Sequence, residues 1–252
     1  MMLAVIPARL GATRLPRKPL RDLAGKALVV RVWERVQSMN VADRCVVATD
    51  SSEVAAAVSA AGGECVMTRS DHPSGTDRVA EVAARPEFRE YHAILNVQGD
   101  EPFVQRDALL GAAAMVAGGL FQLGTAAARA DASILRQPNV VKVVADDDGR
   151  ALYFSRASIP FLRDDSDATL ASTLVRQHIG VYAYHRDALE RWVRLPQHPL
   201  EQVERLEQLR PLAAGIAMGV AMIGEPPRGG IDTEDDLARA SAQWADFSRG
   251  RN

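Results

Sequence analysis

The stretch LAVIPARLGATRLPRKPL, Leu3 to Leu20, sets a short apolar run directly before a segment that gathers Arg9, Arg14, Arg17 and Lys18 around Gly11, Pro16 and Pro19. The run is long enough for one buried strand. The basic segment cannot be a regular helix, because the two prolines restrict the chain and oppose helical hydrogen bonding, while Gly11 permits tight backbone geometry. The same alternation then recurs: ALVVRVWERVQSM comes after the basic loop, CVVATD precedes SEVAAAVSAAG, ECVMT precedes TDRVAEVAA, and HAILNVQGD precedes RDALLGAAAMV. Short apolar strands alternating with helices of ten or more residues are successive βαβ units, so the fold class is α/β, a mostly parallel sheet flanked by helices. In Val29 to Val36, the valines and Trp33 recur at helical spacing, which gives that helix a core-facing side.

The second half changes character. VVKVVADDDGRALYFS predicts two strands joined by an Asp-rich turn with a glycine, and LRDDSDATLAST predicts a polar loop or arm. QHIGVYAYH alternates as a strand. PLEQVERLEQLRPL predicts one helix that buries Leu200, Val203, Leu206 and Leu209 and turns Glu201, Glu204 and Gln208 to solvent. TEDDLARASAQWADF predicts a last helix capped by Thr233. No composition break marks a linker, so residues 1–252 are expected to be a single domain with a smaller lobe inserted or appended.

With 252 residues, 47% hydrophobic, 25% charged and a formal net charge of −2, the composition is that of an ordinary globular protein. There is no global basic field to suggest nucleic-acid or anionic-membrane binding. The apolar start is short and broken by Pro7, and GAAAMVAGGLFQLG is too short for a membrane span, so a cytoplasmic protein is expected. Cys45 and Cys65 each lie in a strand-like apolar run, which favours free buried thiols.

In an open parallel sheet, ligands bind where the chain leaves the carboxyl ends of the strands. The basic loop occupies that place after the first strand, and Arg9, Arg14 and Lys18 there suit an anion such as a triphosphate. By charge alone, the same residues would equally serve as a solvated surface loop. Neither common phosphate-loop signature is present. Three other segments answer the loop. In ILNVQGDEPF, Gly99 lets the chain turn so that Asp100 stands at a strand end, as a carboxylate suited to Mg²⁺, while Glu101 is either a second ligand or, as expected here, a charge that faces outward. In RGGIDTEDDL, Asp232 is either a helix-terminus anion or the partner of Asp100 in holding the metal. In RSDHPSGTDRVAEV, Ser74 and Gly75 are placed to approach a base or ribose and Arg78 a phosphate, with the helix N-cap expected at Thr76.

Taken together, these blocks with ALYFSRASIPF, RQHIGVYAY and PLEQVERLEQLR closely resemble the CMP-Kdo synthetases, the 3-deoxy-D-manno-octulosonate cytidylyltransferases, from residue 3 to about residue 239. The resemblance implies a Rossmann-like nucleotide-diphospho-sugar transferase fold whose smaller lobe binds sugar and dimerises. It also implies a homodimer, Mg²⁺ dependence, and formation of CMP-Kdo and diphosphate from CTP and Kdo for lipopolysaccharide synthesis. Carried over by position, Arg9, Arg14 and Lys18 match the triphosphate loop, Ser74, Gly75 and Arg78 the nucleotide-side turn, and Asp100 and Asp232 the magnesium carboxylates. Gln98, Arg156, His178, Tyr182, Glu207 and Gln208 match the sugar-acid pocket. Arg14, Lys18, Asp100 and Asp232 are the expected catalytic set. Arg17 stands where the family loop usually has glycine, so a left-handed backbone there would be strained. His178 is expected to contact substrate or structure rather than act as a base, and His72, His92, His185 and His198 show no metal-ligand spacing. Cytidylyl transfer to a different 2-keto sugar acid, and a nucleotide sensor without turnover, are the competing readings.

Overall fold

A computed structural model describes residues 1–11, 14–164 and 167–249, with the backbone alone at 168 and 172. The chain divides into two compact units. The first comprises Met1–Tyr91, Asn96–Val104 and Arg228–Asn252. In it, β1 (Met2–Ala8) leads into a 3-10 turn at Lys18–Leu20, then β2 (Asp22–Leu23), β3 (Lys26–Ala27), α1 (Leu28–Ser38), β4 (Arg44–Thr49), α2 (Ser52–Ala60), β5 (Glu64–Met67) and α3 (Gly75–Ala84). Strands β1, β4 and β5 run parallel in that order, with Val5 beside Val46 and Val47 beside Cys65. Leu3, Ala4, Val5 and Ile6 are all fully buried, as expected of a parallel strand covered on both faces. Helix α1 buries Val29, Val30, Val32 and Val36, in agreement with its periodicity. Cys45 and Cys65 are free as expected but half-buried rather than buried, and partial burial pushes their thiols up to about 12 and about 11.

The second unit comprises His92–Leu95 and Gln105–Pro227. It holds β6 (Ala93–Asn96, its last residue grouping with the first unit), α4 (Arg106–Ala117), β7 (Leu123–Arg129), β8 (Lys142–Ala145), β9 (Ala151–Ser155), α5 (Ala168–Leu174), β10 (Arg176–His185), α6 (Arg186–Arg194), α7 (Pro199–Glu204), α8 (Leu209–Ala213) and β11 (Met218–Ile223). Its strands lie in the order β11, β7, β10, β6. β7 is parallel to β11 and antiparallel to β10, which is irregular between Ile179 and Tyr182. The predicted hairpin is β8–β9, and Asp146 Oδ1 closes its turn by accepting from Asp148 N at 3.1 Å and Arg150 N at 2.8 Å.

Three expectations change. The single helix expected from PLEQVERLEQLRPL is two, because Arg205 takes a left-handed conformation (φ 55°) and ends α7. Its predicted faces are reversed in α7, where Leu200 and Val203 are 41% and 84% exposed and Glu201 is buried, whereas past the break Leu206 and Leu209 are buried as expected and Gln208 joins them. Arg210 fixes the inversion by pairing with buried Glu201 at 2.6 and 2.8 Å. The polar segment expected as a loop contains α5, residues 165 and 166 lying outside the described residues. The N-cap of α3 is Ser74 rather than Thr76; its Oγ accepts from Asp77 N at 3.3 Å.

The last helix, α9 (Glu234–Arg249), returns to the first unit, where Thr233 Oγ1 accepts from Asp236 N at 3.2 Å as predicted for a cap. Trp244 and Phe247 pack on Phe103, with ring centroids 5.7 and 4.8 Å away, and Arg31 and Arg35 stack on them, each 4.9 Å from a ring centre. These contacts anchor the helix whose start follows Asp232.

Gly99 passes close under the end of β1, and a Cβ there would lie 2.7 Å from Pro7 O. A backbone oxygen cannot swing aside, so Gly99→Ala is expected to lower stability by about 1–3 kcal/mol through overpacking, read as a lower denaturant midpoint at unchanged slope.

Candidate active site

The site in the first unit is built around Lys18. Pro19 sits in the 3-10 turn and Arg17 caps it in the left-handed region (φ 57°, ψ 31°), so the departure from glycine does place a side chain in a strained backbone position. Arg17 spans to Glu53 with 2.5 and 3.2 Å hydrogen bonds, which tie the strained turn to α2. Gly11 differs from expectation: its φ is not left-handed and a Cβ there would meet open space, so its own geometry does not require glycine.

The turn aims Lys18 at both predicted acids. Lys18 Nζ donates to Asp100 Oδ2 at 2.6 Å and to Asp232 Oδ1 at 2.7 Å, and Arg14 Nη2 pairs with Asp232 Oδ2 at 3.0 Å. The acid-bearing segments are also joined directly, Ile231 N donating to Asp100 O at 2.9 Å. Burial alone would lower the Lys18 pKa, but Asp100 and Asp232 outweigh it and raise it, so the ammonium stays charged.

Glu101, expected to face outward, is half-buried instead. Its carboxyl is pushed up to about 8, chiefly by burial and further by the charges of Asp100 and Asp232, with Lys18 opposing. The segment 228–232 covers it: a Cβ on Gly230 would lie 2.7 Å from Glu101 Oε1. Its neighbour Pro102 gave no sequence signal of that cover. Among the described residues, no group of three or more His, Cys, Asp or Glu is arranged to hold a metal by itself. Two carboxylates sharing one ammonium are nonetheless a cation-attracting pair.

A cavity of about 410 Å³ opens over this cluster. Arg9, Arg14 and Lys18 line it from the basic loop, Ser74 and Gly75 from the start of α3, and Gln98, Asp100 and Asp232 from the remaining segments. All eight predicted residues meet there. Arg78 also reaches the wall, but it is 2% exposed and already engaged by the Thr68 hydroxyl and by Asp50 Oδ1 at 3.5 Å. Its cation therefore supports the wall as much as it faces a phosphate. His72, assigned no role from sequence, lines the cavity too; its Nε2 lies 2.5 Å from Glu81 Oε2. Burial opposes a charge on Glu81, yet His72, the Arg69 amide and Arg85 together lower its pKa. The pair is nine residues apart and shows no periodic signal.

The other five predicted pocket residues lie in the second unit. His178 is buried, edge-on to Phe154 at 4.9 Å and 5.6 Å from the ring of Tyr182. The Tyr182 hydroxyl is raised well above its ordinary value by burial, then by Tyr184 and Glu207. Gln208 is 3% exposed, and the guanidinium of half-buried Arg156 donates to Glu204 O at 2.8 Å and Pro138 O at 3.0 Å. Thr125 Oγ1 lies 2.9 Å from His178 Nε2 and within donating distance of Val181 O (2.8 Å) and Ile179 O (3.2 Å). A hydroxyl has one proton, and the carbonyls can only accept it, so Nε2 carries the hydrogen and Nδ1 remains an acceptor. Burial pushes His178 down to about 3, so it is neutral at neutral pH and too weak a base for proton abstraction.

Because the folded state refuses this proton down to about pH 3 while an ordinary histidine accepts it near 6.5, the unfolded state binds more protons in that window and stability falls as pH falls through it. His178→Gln is expected to remove part of that slope, on the order of 1 kcal/mol per pH unit, in urea titrations between about pH 6.5 and 4.

The family model described as Cytidylyltransferase matches residues 3–218. A 3-deoxy-manno-octulosonate cytidylyltransferase of Gemmatimonas aurantiaca is 63% identical over 243 residues, covering 96% of this chain and 94% of its own length. One of the same name from Yersinia enterocolitica is 46% identical, covering 95% and 97%. The solved structure of CMP:2-keto-3-deoxy-manno-octonic acid synthetase complexed with CTP superposes with a TM-score of 0.89 at 37% identity, covering 97% of this chain and 98% of that one. A 4-diphosphocytidyl-2C-methyl-D-erythritol synthase from Anaerococcus prevotii, with a TM-score of 0.62 at 14% identity over 97% and 98% of the two chains, shares the fold. Identity of 63% across nearly the whole of both chains leaves one assignment: this chain belongs to the 3-deoxy-manno-octulosonate cytidylyltransferase family.

Proposed function

We propose that the chain transfers a cytidylyl group from CTP to 3-deoxy-D-manno-octulosonate, forming CMP-Kdo and diphosphate for lipopolysaccharide synthesis. The observation that carries this reading is the Lys18 ammonium held between Asp100 and Asp232 at a cavity lined by Arg9, Arg14, Ser74 and Gly75. The anomeric hydroxyl of the sugar acid attacks the α-phosphorus of CTP. One P–O bond forms, the bond to diphosphate breaks, and the hydroxyl proton is released. Such a reaction needs positioning and charge neutralisation rather than a protein nucleophile. Arg9 and Arg14 offer forked donors to the triphosphate oxygens, and Lys18 supplies a mobile cation to the charge that develops on the leaving group. The cap of α3 sets Ser74 and Gly75 beside the cavity, where main-chain N–H groups of a helix start suit the nucleotide.

The carboxylates of Asp100 and Asp232 fit Mg²⁺, which takes one or two carboxylates together with substrate phosphates and water. The two acids converge on one ammonium, and Glu101 beside them has its pKa raised chiefly by burial and further by their charge. Bound there, Mg²⁺ would neutralise phosphate charge and acidify a coordinated hydroxyl. We assign the acid substrate to Arg156, His178, Tyr182, Glu207 and Gln208 of the second unit, while Gln98, predicted with them, lines the cavity of the first: an arginine suits the sugar carboxylate, and the His178 Nδ1 acceptor suits a sugar hydroxyl. CTP is a cytoplasmic metabolite, which places the activity in the cytoplasm. The large exposed apolar side chains Leu152, Phe161 and Leu170, at 57%, 79% and 59% exposure, support a homodimer made through the second unit.

Diphosphate release from CTP and Mg²⁺ is expected to require Kdo and to fall by at least about a hundredfold in Asp100→Ala. CTP binding without release, for Kdo or for other 2-keto sugar acids, would leave a nucleotide sensor. Sedimentation is expected to give a dimer for the native chain and a shift towards monomer for Phe161→Glu.

A further inference from the structure

Lys142 opens β8 in the second unit and is 0% exposed. Its ammonium is surrounded by backbone rather than by acids: Nζ donates to Gln137 O at 3.0 Å, Val140 O at 2.8 Å and Arg156 O at 2.5 Å. An ammonium has three protons, and these three carbonyls take them all. It forms no ion pair with any described carboxylate. Burying a cation without a counter-ion is costly, and a well-packed apolar residue commonly serves stability better. Burial accordingly lowers the Lys142 pKa, with Glu204 opposing and Arg156 adding to the effect. A lysine kept in such a place calls for a role other than filling the core.

Its three bonds join the turn at 137–140, the start of β8 and the chain just past β9, and Arg156 stands at that junction. The Arg156 carbonyl is held by Lys142. Its N–H donates to Glu204 Oε2 at 2.9 Å, its Nε to Glu204 O at 2.8 Å and its Nη1 to Pro138 O at 3.0 Å. Glu204 is itself fixed by Ser155 Oγ, which donates to Oε1 at 2.5 Å. Both Lys142 and Arg156 thus grip the 137–140 turn, and the side chain of Arg156 has one orientation imposed from its backbone outward. Of the five guanidinium N–H groups, two are used in these bonds, which leaves three, the second on Nη1 and the two on Nη2, for a ligand. The same strand end reaches His178, whose N–H donates to Val141 O at 2.9 Å.

We propose that Lys142 is a positioning residue for sugar-acid recognition, which through the backbone carbonyl of Arg156, and together with Glu204, presents the remaining guanidinium fork to the carboxylate of the 2-keto sugar acid. This rests on the functional reading above, in which Arg156 serves the acid substrate. A methionine at 142 keeps the length of the side chain and loses the three bonds. Glu204→Gln keeps the packing and turns an acceptor into a mismatched donor.

The test is steady-state kinetics on the full chain with Mg²⁺, varying Kdo at saturating CTP and CTP at saturating Kdo, with CTP binding measured separately by calorimetry. Lys142→Met is expected to raise KM for Kdo by at least about tenfold, as misplacement of a substrate-orienting group does. The KM and Kd for CTP should stay within about twofold, and in an Arg156→Ala background the same change should cost no more than about twofold, since the two act as one unit. Equal rises in both KM values, or a full additive loss in the Arg156→Ala background, would overturn the inference. If Lys142→Met no longer binds CTP, the folding of that variant has failed and Glu204→Gln decides by the same criteria. Absence of Kdo turnover by the native chain would overturn the functional reading and this inference together, whereas native turnover with an unchanged KM for Kdo in both variants overturns the inference alone.

Discussion

One ammonium holds three distant segments of the first unit in register. Lys18 comes from the loop after β1, Asp100 from the turn after Gly99, and Asp232 from the residues before α9, and they meet within 2.7 Å of Nζ. Each acid alone would be a surface carboxylate with little reason to face inward. Together they hold one lysine and draw in Arg14, and Glu101 beside them resists ionisation chiefly through burial and then through their charge. The proposed Mg²⁺ and the phosphates that accompany it would bind at this cluster. The strained backbone at Arg17 and the close pass of Gly99 under Pro7 are the local costs of bringing these segments together.

The rest of the first unit maintains this geometry. The parallel strands bring the chain out at one edge, and the cap of α3 turns it past the cavity. Arginine and aromatic stacking on Trp244 and Phe247 anchors α9 and thereby the approach to Asp232. Arg78 illustrates the division of labour: a cation expected to grip phosphate is buried against Thr68 and Asp50, where it shapes the wall.

The second unit uses buried polarity for a different purpose. His178, Thr125 and the carbonyls of Ile179 and Val181 form a network with one consistent proton assignment, and Lys142, Glu204 and Ser155 form another around Arg156. Networks of this kind add little stability over apolar packing, but they select single rotamers. In the proposed reading that selectivity would serve discrimination between similar sugar acids, because a buried polar group left unpaired by the wrong substrate is penalised heavily.

Strand and helix alternation, the basic loop, the helix in Val29 to Val36, the β8–β9 hairpin and the Thr233 cap were all legible in the sequence, because they follow from local periodicity and turn chemistry. So was the placement of Lys18, Asp100 and Asp232 in turns and at element ends, since glycines and prolines mark such places wherever the fold needs them. The meeting of those three residues was not, because the pairing spans 214 positions and leaves no periodic trace. Nor was the inversion at Leu200 to Val203, where an internal ion pair outweighs the apolar pattern, or the end of that helix at a single left-handed residue, Arg205. Glu101 and Lys142 belong to the same class. Whether a charge faces water or the interior depends on which distant backbone covers it, and that is decided only when the chain has folded.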